Sequence, residues 1–505
     1  MAALDQLETK YFPAIPTVVP HSGNTEVLPH VDGEEYFAAI YSAIEATEGP
    51  DDRIYIASWL FERQTRLILG PKRLDQLLVA KADLKVDVRI IVWTGRLVLH
   101  TQDLDPDFSE TEWWISRTAE ALDLFGDVVG ANIANVRGLR TVTTLPEIAP
   151  PLAGRVLMDW SGDFGSRHQK YTVVYRRSTG DLRAFVGGMD FAEKNVNPFL
   201  HPTNNSPHDV GVECRGEAGR SVWNDFKTRW EEVRSLPGAR FRFGPIVEHF
   251  NPTTDASLHV PPVPSPGTAI VTPVVSSSGV RIVRSYDRIK DSMLWGDDLP
   301  WETLPPEGLQ EILAVFRKAL NAATRYVYIE DQGLNSFEGF TSHILLWPLV
   351  AAAITKGVKV IGVTSGEDDD NRVLVPSIWT VFLDHVSPVV RPNFVMYRVD
   401  RMEVHSKVVL IDDEFLSIGS ANFWDRSMRF QDTELTAVAV DTGSLVKDLR
   451  VRLWADHLRV DPSDASVRAE LEDLDKSLAI FRAAWGTGVS FPTPNSKLQL
   501  IGPVA

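Results

Sequence analysis

The stretch His405–Asn422, HSKVVLIDDEFLSIGSAN, decides how the rest of the chain is read. It sets His405 and Lys407 two residues apart, Asp412 after an apolar run, and Gly419, Ser420 and Asn422 at the end of a second one. In an extended strand residues i and i+2 share a face, so an imidazole and an ammonium stand side by side. Imidazole attacks phosphorus or passes a proton near neutral pH, and lysine supplies fixed positive charge to non-bridging oxygens. VVLI reads as a strand buried on both faces, and the glycine lets the chain turn Ser420 and Asn422 back towards the pair.

A second such unit lies upstream in RHQKYTVVYRRSTGDLRAFVGGMD, where His168 and Lys170 precede an apolar strand that runs into Gly187 and Gly188. It differs in three places. Tyr175 stands where Asp412 stands in the later copy, the polar turn RRSTGD lengthens the hairpin, and Asp190 replaces the closing Asn422. Either Asp181 supplies the missing carboxylate from the far side of the turn, or the first copy has none. An ionised Asp190 cannot donate to phosphate, so that role falls to Asn422.

The repetition extends outward. DDRIYIASW matches TRYVYIEDQGL; LLVAKADLKVDVRIIVWTG matches PLVAAAITKGVKVIGVTSG, each a helix ending before a strand, with Gly357 as a helix C-cap in the second copy. HDVGVECRGEAGRSVWNDFKTRW and DTELTAVAVDTGSLVKDLRVRLWADHL then pair an acidic strand start with a Trp-bearing amphipathic helix. The expected fold is α/β: two similar α-β-α sandwich domains, residues 1–250 and 279–505, related by a pseudo-twofold. The Pro-, Ser- and Thr-rich residues 251–278 form the linker. Both His-x-Lys pairs then face one central cleft.

The run HSKVVLIDDEFLSIGSANFWDRSM resembles the phospholipase D superfamily motif, His-x-Lys-x4-Asp followed by a Gly-Ser turn and an Asn. LRVRLWADHL is similar to the helix that follows this motif in enzymes acting on phosphatidylcholine. The resemblance implies the phospholipase D fold and hydrolysis of the distal phosphodiester of a glycerophospholipid through a phosphohistidine, with transfer to alcohols. It implies His168 as nucleophile and His405 as acid and base, although two equivalent half-sites leave these roles exchangeable. Lys170, Lys407 and Asn422 would hold phosphoryl oxygens, with Ser420 supporting and Asp190 at the equivalent position. By position in the family pattern, Asp209 orients His168 and Glu434 orients His405. Trp59, Phe423 and Trp424 fall near the cleft, where Trp59 and Trp424 would shelter lipid or a quaternary amine. The alternatives are a phosphatidyltransferase in lipid synthesis, a non-lipid phosphodiesterase or nuclease of the same superfamily, and a lipid-binding protein with a decayed site.

Composition narrows these. The chain has 505 residues, 44% of them hydrophobic, enough for two ordinary cores. A formal charge of −17 with no basic stripe disfavours nucleic acid and suits a zwitterionic phospholipid at a membrane or micelle surface. The single Cys214 rules out an intramolecular disulfide, and the first residues show neither a basic start nor an apolar core. The expectation is a cytoplasmic protein, or a secreted one if a leader was removed. ILLWPLVAAAI is too short to span a bilayer and reads as a core helix, so no stable membrane insertion is expected. Two half-sites in one chain fit a monomer. Residues 287–306, with Trp295 and Trp301, read as a long loop over the cleft.

No metal-binding motif and no cofactor fingerprint is present in the sequence. Two expectations follow for the rate of phosphodiester cleavage: a bell-shaped profile across about pH 5 to 9, from one neutral and one protonated histidine, and activity retained after dialysis against EDTA. A flat profile with chemistry rate-limiting, or loss restored by one specific metal, would overturn the scheme.

Overall fold

The computed structural model describes residues 2–23, 25–68, 72–93, 131–132, 134–135, 139, 151–159, 166–196, 207–235, 240–243, 246–249, 259–262, 277–286, 308–332, 334, 345–365, 386–399, 403–430, 432–458, 460–483 and 498–500. Of the expected linker, most of 251–278 lies outside the described residues, as does the loop 287–306 with Trp295 and Trp301.

Two sheets carry the fold, and six consecutive strands of each repeat the same order. In the first, Val210–Gly216, Asp181–Gly187, Tyr171–Arg176 and Arg53–Ser58 are mutually antiparallel, and Asp87–Trp93 and Val156–Asp159 continue in parallel. In the second, Glu434–Asp441, Phe415–Gly419, Lys407–Ile411, Tyr326–Asp331, Lys359–Ser365 and Phe394–Val399 follow suit. A further antiparallel strand extends each pattern: Thr25–Val31 beside the first, Ser278–Tyr286 beside the second.

The residues explain the layering. YTVVYR and KVVLI are β-branched runs whose apolar side chains are buried on both faces, as strands covered by helices must be. The helix Glu311–Ala322 presents Ile312, Leu313, Phe316, Ala319 and Leu320 at helical spacing and buries them all. The apolar helix Trp347–Thr355 buries Trp347, Val350, Ala353 and Ile354, and Gly357 ends it at φ +90 with its N–H on the Ile354 carbonyl, as expected of a C-cap glycine. No helix among the described residues is long and apolar enough to cross a membrane.

The sheets meet reciprocally. Asp181–Gly187 lies against Glu434–Asp441, while its counterpart Phe415–Gly419 lies against Val210–Gly216, which is the signature of a twofold relation. One continuous hydrophobic cluster crosses this seam, from Tyr36 and Phe37 to Leu416, Ile418 and Trp454. The first residues of the chain join the second sheet: helix Ala2–Tyr11 packs on Glu311–Ala322, and His21–Ser22 pairs with Ser278–Tyr286.

The motif carboxylate behaves differently in the two halves. Asp412, at φ +58 in the hairpin, accepts from the Thr324 hydroxyl (2.7 Å) and from the backbone N–H groups of Thr324, Arg325 and Tyr326 at 2.8 to 3.0 Å. In the first half the carboxylate comes from the opposite side: Asp52, before strand Arg53–Ser58, accepts from the Arg177 N–H in the hairpin at 2.7 Å. Asp181 does not take this place. It pairs with Arg183 at 2.8 Å, because the strand carries it away from the junction. Asp412→Ala strands several buried donors and is expected to cost about 2 to 4 kcal/mol, read as a lower urea midpoint; a change below about 0.5 kcal/mol would contradict this role.

Candidate active site

Each His-x-Lys segment leaves its own sheet and pairs with the acid-bearing strand start of the other half. Arg167 forms a parallel bridge with Thr433, whose N–H donates to the Ser166 carbonyl at 2.9 Å. Val404 forms the matching bridge with His208, with His208 N–H on the Glu403 carbonyl (2.8 Å) and His405 N–H on the His208 carbonyl (2.7 Å). The carboxylates are therefore exchanged. His168 Nδ1 lies 3.1 and 3.2 Å from the Glu434 oxygens and 3.1 Å from the Ser420 carbonyl; His405 Nδ1 lies 2.8 Å from Asp209 Oδ2.

This corrects the expectation that Asp209 serves His168 and Glu434 serves His405. Within one sheet a full strand separates the acid from its own His-x-Lys strand, and two ladder spacings of about 4.8 Å each exceed hydrogen-bonding reach. Only the twofold docking closes the gap.

Burial disfavours charge on every member of these pairs. It pushes both histidines well below their ordinary value, helped by the Lys170 and Lys407 ammonium groups, and pushes Asp209 and Glu434 up to about 8. Each pair thus keeps a shared proton to about pH 8, and the Nδ1 contact leaves Nε2 as the nitrogen for chemistry. The pairs differ in one respect. Glu434 also accepts from Ser420 Oγ (2.5 Å) and Ser427 Oγ (2.7 Å), which damp its charge, whereas Asp209 accepts from its neighbour's N–H, Val210, at 2.7 Å. Hydrogen bonds to Glu434 weaken it as a base towards His168, which favours His168 as the neutral ring.

The lysines are buried, 2% and 4% exposed, and their pKa values are depressed by burial. Lys170 Nζ donates to the His168 carbonyl at 2.9 Å and Lys407 Nζ to that of His405. Several carboxylates favour their charged forms, among them Asp209 for both, and one acid of each half stands at a transposed position. In the first half Asp190, at the motif end, sits 3.7 Å from Lys170, with Ser58 closing strand Arg53–Ser58. In the second the strand ends in Asp331, which pairs in register with Lys407 and, after Asp209, raises its affinity for a proton, while Asn422 closes the motif. Asp190 is engaged by Ser58 Oγ and the N–H groups of Trp59 and Leu60 at 2.8 to 3.1 Å, so it clamps backbone. The Asn422 side chain is 1% exposed and makes no hydrogen bond among the described residues, so its amide is available to a phosphoryl oxygen.

The aromatic residues divide. Trp59 is half-buried, stacks on Trp93, meets His168 edge-on at 6.0 Å and lies 5.4 Å from Lys170 Nζ, at the site as expected. Trp424 is only 7% exposed and donates its indole N–H to Ser427 Oγ at 2.7 Å. Together with Ser420 it supports Glu434 from behind instead of facing a substrate, because the turn after Asn422 folds it inward. Phe423 is core. Ser427, Asp331 and Asp432, whose carboxylate accepts from Ser166 N–H and Arg426, escaped the sequence reading. Aligning Ser58 with Asp331 across the repeat would have flagged one of them.

Residues 316–456 match the family model described as the PLD-like domain of cardiolipin synthase. Cardiolipin synthase A of Pseudomonas entomophila is 33% identical over 84% of this chain and 67% of its own length. Phospholipase D alpha 3 of Arabidopsis thaliana is 22% identical over 88% of this chain; the chain spans 65% of that relative, and 36% of phospholipase D A of Dictyostelium discoideum. Among solved structures, the phosphatidylserine synthase of Haemophilus influenzae aligns over 95% of this chain and 98% of its own, at 12% identity and a TM-score of 0.49.

The crossed pairing predicts a coupling pattern in single-turnover rates. Glu434→Gln is expected to slow cleavage about 10- to 100-fold in the native background and to add little to His168→Ala, while Asp209→Asn behaves so with His405→Ala. Coupling of His168 with Asp209 instead would overturn the exchange.

Proposed function

The chain belongs to the phospholipase D superfamily, and on that premise we propose that it is a phospholipase D, cleaving the distal phosphodiester of a phosphatidylcholine-like lipid to phosphatidic acid and the free headgroup. At the coarser level it is an enzyme of the phosphodiester-acting kind. The observation that carries the reading is a complete pair of His-x-Lys units whose Nδ1 atoms are each held by a carboxylate of the opposite half.

In this mechanism His168 Nε2 attacks phosphorus while the bond to the headgroup oxygen breaks and His405 Nε2–H protonates that oxygen. The phosphatidyl group rests on His168. His405, now neutral, takes a proton from water, whose oxygen attacks phosphorus and releases His168. Lys170, Lys407 and the Asn422 amide stabilise charge on the non-bridging oxygens, most effectively because all three are buried. Trp59 lines the approach to His168. One chain holds both half-sites, which suits a monomer acting on a membrane or micelle surface.

A second reading has a specific observation behind it. The 33% identical relative is named a cardiolipin synthase, and an alcohol acceptor in place of water turns the same intermediate into a phosphatidyl transfer. Phosphatidylcholine vesicles in buffer containing ethanol separate the readings. Free choline, phosphatidic acid and phosphatidylethanol, all lost in His168→Ala and His405→Ala, are expected of the hydrolase. Phosphatidyl transfer between lipids without phosphatidic acid identifies the synthase, and turnover of nucleic acid alone would sink both.

A further inference from the structure

Directly behind His405 lies a second polar cluster that takes no part in the chemistry above. His208 is 0% exposed, its Nδ1 2.9 Å from Asp32 Oδ1 and 3.3 Å from Asp456 Oδ2, its Nε2 2.8 Å from Glu330 Oε1. Glu330, also fully buried, accepts from the Ser406 hydroxyl, from Tyr328 OH at 2.6 Å and pairs with His457 Nε2 at 3.2 Å. These residues come from five places: the start of helix Asp32–Glu45, the lead-in to strand Val210–Gly216, strand Tyr326–Asp331, the middle of the second His-x-Lys, and helix Leu445–Leu458. Asp32 holds φ +66, a backbone strain that packing must sustain.

We propose that His208 is a positioning residue for His405, a buried imidazolium that ties both halves of the chain to the second catalytic histidine. Three links run from it. Its carbonyl accepts the His405 N–H, its neighbour Asp209 holds His405 Nδ1, and its partner Glu330 holds Ser406, the residue between His405 and Lys407. In the first half-site Thr433 stands at the corresponding place and accepts from Arg167 at 2.6 Å, while Gln169 meets the Arg229–Asp159 pair. Geometry favours a charged His208. Carboxylate oxygens of Asp32 and Asp456 lie 2.9 and 3.3 Å from Nδ1 and one of Glu330 lies 2.8 Å from Nε2, so three acids surround a ring that can neutralise them only as the imidazolium. Asp32 and Glu330 accordingly raise its pKa well above the ordinary value against the burial that opposes it, and Glu330 is held well below its own.

The groups facing the ring are Asp32 and Asp456 on one side and Glu330 with His457 and Tyr328 on the other, with Asp209 adjacent in the chain. Because the folded value lies above the unfolded one of about 6.5, the stabilisation from His208 is complete below that pH. It is lost only as pH rises through the folded value.

The inference rests on the reading of His405 as acid and base, so its test includes a readout that needs no substrate. Protein labelled with 15N in the histidine rings is expected to show, at about pH 8, one ring with both nitrogens protonated. That signal should vanish in His208→Gln, and the His405 ring should shift in the same variant. In turnover, His208→Gln is expected to lower kcat about 10- to 100-fold at nearly constant KM and to displace the limb of the pH profile set by His405, with Glu330→Gln giving a smaller change of the same kind. If His208→Gln fails to fold, Glu330→Gln and Ser406→Ala carry the test through the His405 shift.

Absence of a protonated ring, or a divalent metal found bound stoichiometrically to the two histidines and Glu330, overturns the proposal. So does a lower melting temperature with the His405 resonance and kcat unchanged, which would make the cluster a strut and nothing more. The expected ring signals in a protein that turns over no phospholipid would uphold the positioning role and refute the lipid reading.

Discussion

The structure depends on two short parallel bridges, Arg167 with Thr433 and Val404 with His208, that dock the His-x-Lys segment of each half against the acid-bearing strand start of the other. Without them neither histidine has its carboxylate, because sheet spacing puts the acid of the same half two strands away. A separated half would expose the apolar seam and leave Asp209 or Glu434 without its imidazole. The halves are thus bound by chemistry as well as by packing. The cluster crossing the seam and the carboxylate exchange impose the same register, so folding of the interface and assembly of the site are one event.

Near-symmetric backbone carries asymmetric chemistry. Position 188 is glycine where position 420 is serine, and a side chain at 188 would run into Asp209 Oδ2 at 2.7 Å. The shorter acid fills that room, while on the other side the longer Glu434 takes Ser420 and Ser427 as donors. The acid at the end of the strand or motif is transposed likewise, Asp190 in one half and Asp331 in the other, which leaves the motif-end amide to Asn422. A reaction that needs one neutral and one protonated histidine gains from such differences, since identical half-sites would titrate together.

Much of the fold was legible because it repeats. Strand composition, helix periodicity and glycine placement act over a few residues, so DDRIYIASW and TRYVYIEDQGL announce equivalent strands by themselves. The two His-x-Lys units, as a repeated pattern, were legible for the same reason. What was not legible depends on docking. The partner of each histidine lies 196 or 266 residues away, and sequence order favours the wrong acid. The carboxylate replacing Asp412 in the first half comes from Asp52, which is neither Asp181 nor the absence that the hairpin alone allows, because the same junction can be closed from either strand. Nothing in the sequence singles out His208, since its partners Asp32, Glu330 and Asp456 are scattered along the chain. Trp424 was assigned to the cleft by adjacency to Asn422, but the π-helical turn that follows points it at Ser427.

The same burial that makes the site strong links its chemistry to stability. Taken as a unit, each histidine–carboxylate pair in the unfolded chain sheds its histidine proton near about 6.5, whereas the folded pair keeps one to about 8. Between those values the folded protein binds more protons, so stability declines as pH rises. His208 acts in the same direction, its contribution fading only on the alkaline side. In the proposed mechanism the nucleophilic ring becomes free only at the upper end of this interval, as its pair gives up the proton near about 8. Deprotonation that creates the reactive ring therefore also leaves a desolvated carboxylate in the seam between the halves. The compensating interactions lie where they are needed: Ser420 and Ser427 on Glu434, and Val210 N–H on Asp209. The hydrogen bonds that tune the histidines are thus also what allows the two halves to stay together when the site is ready to react.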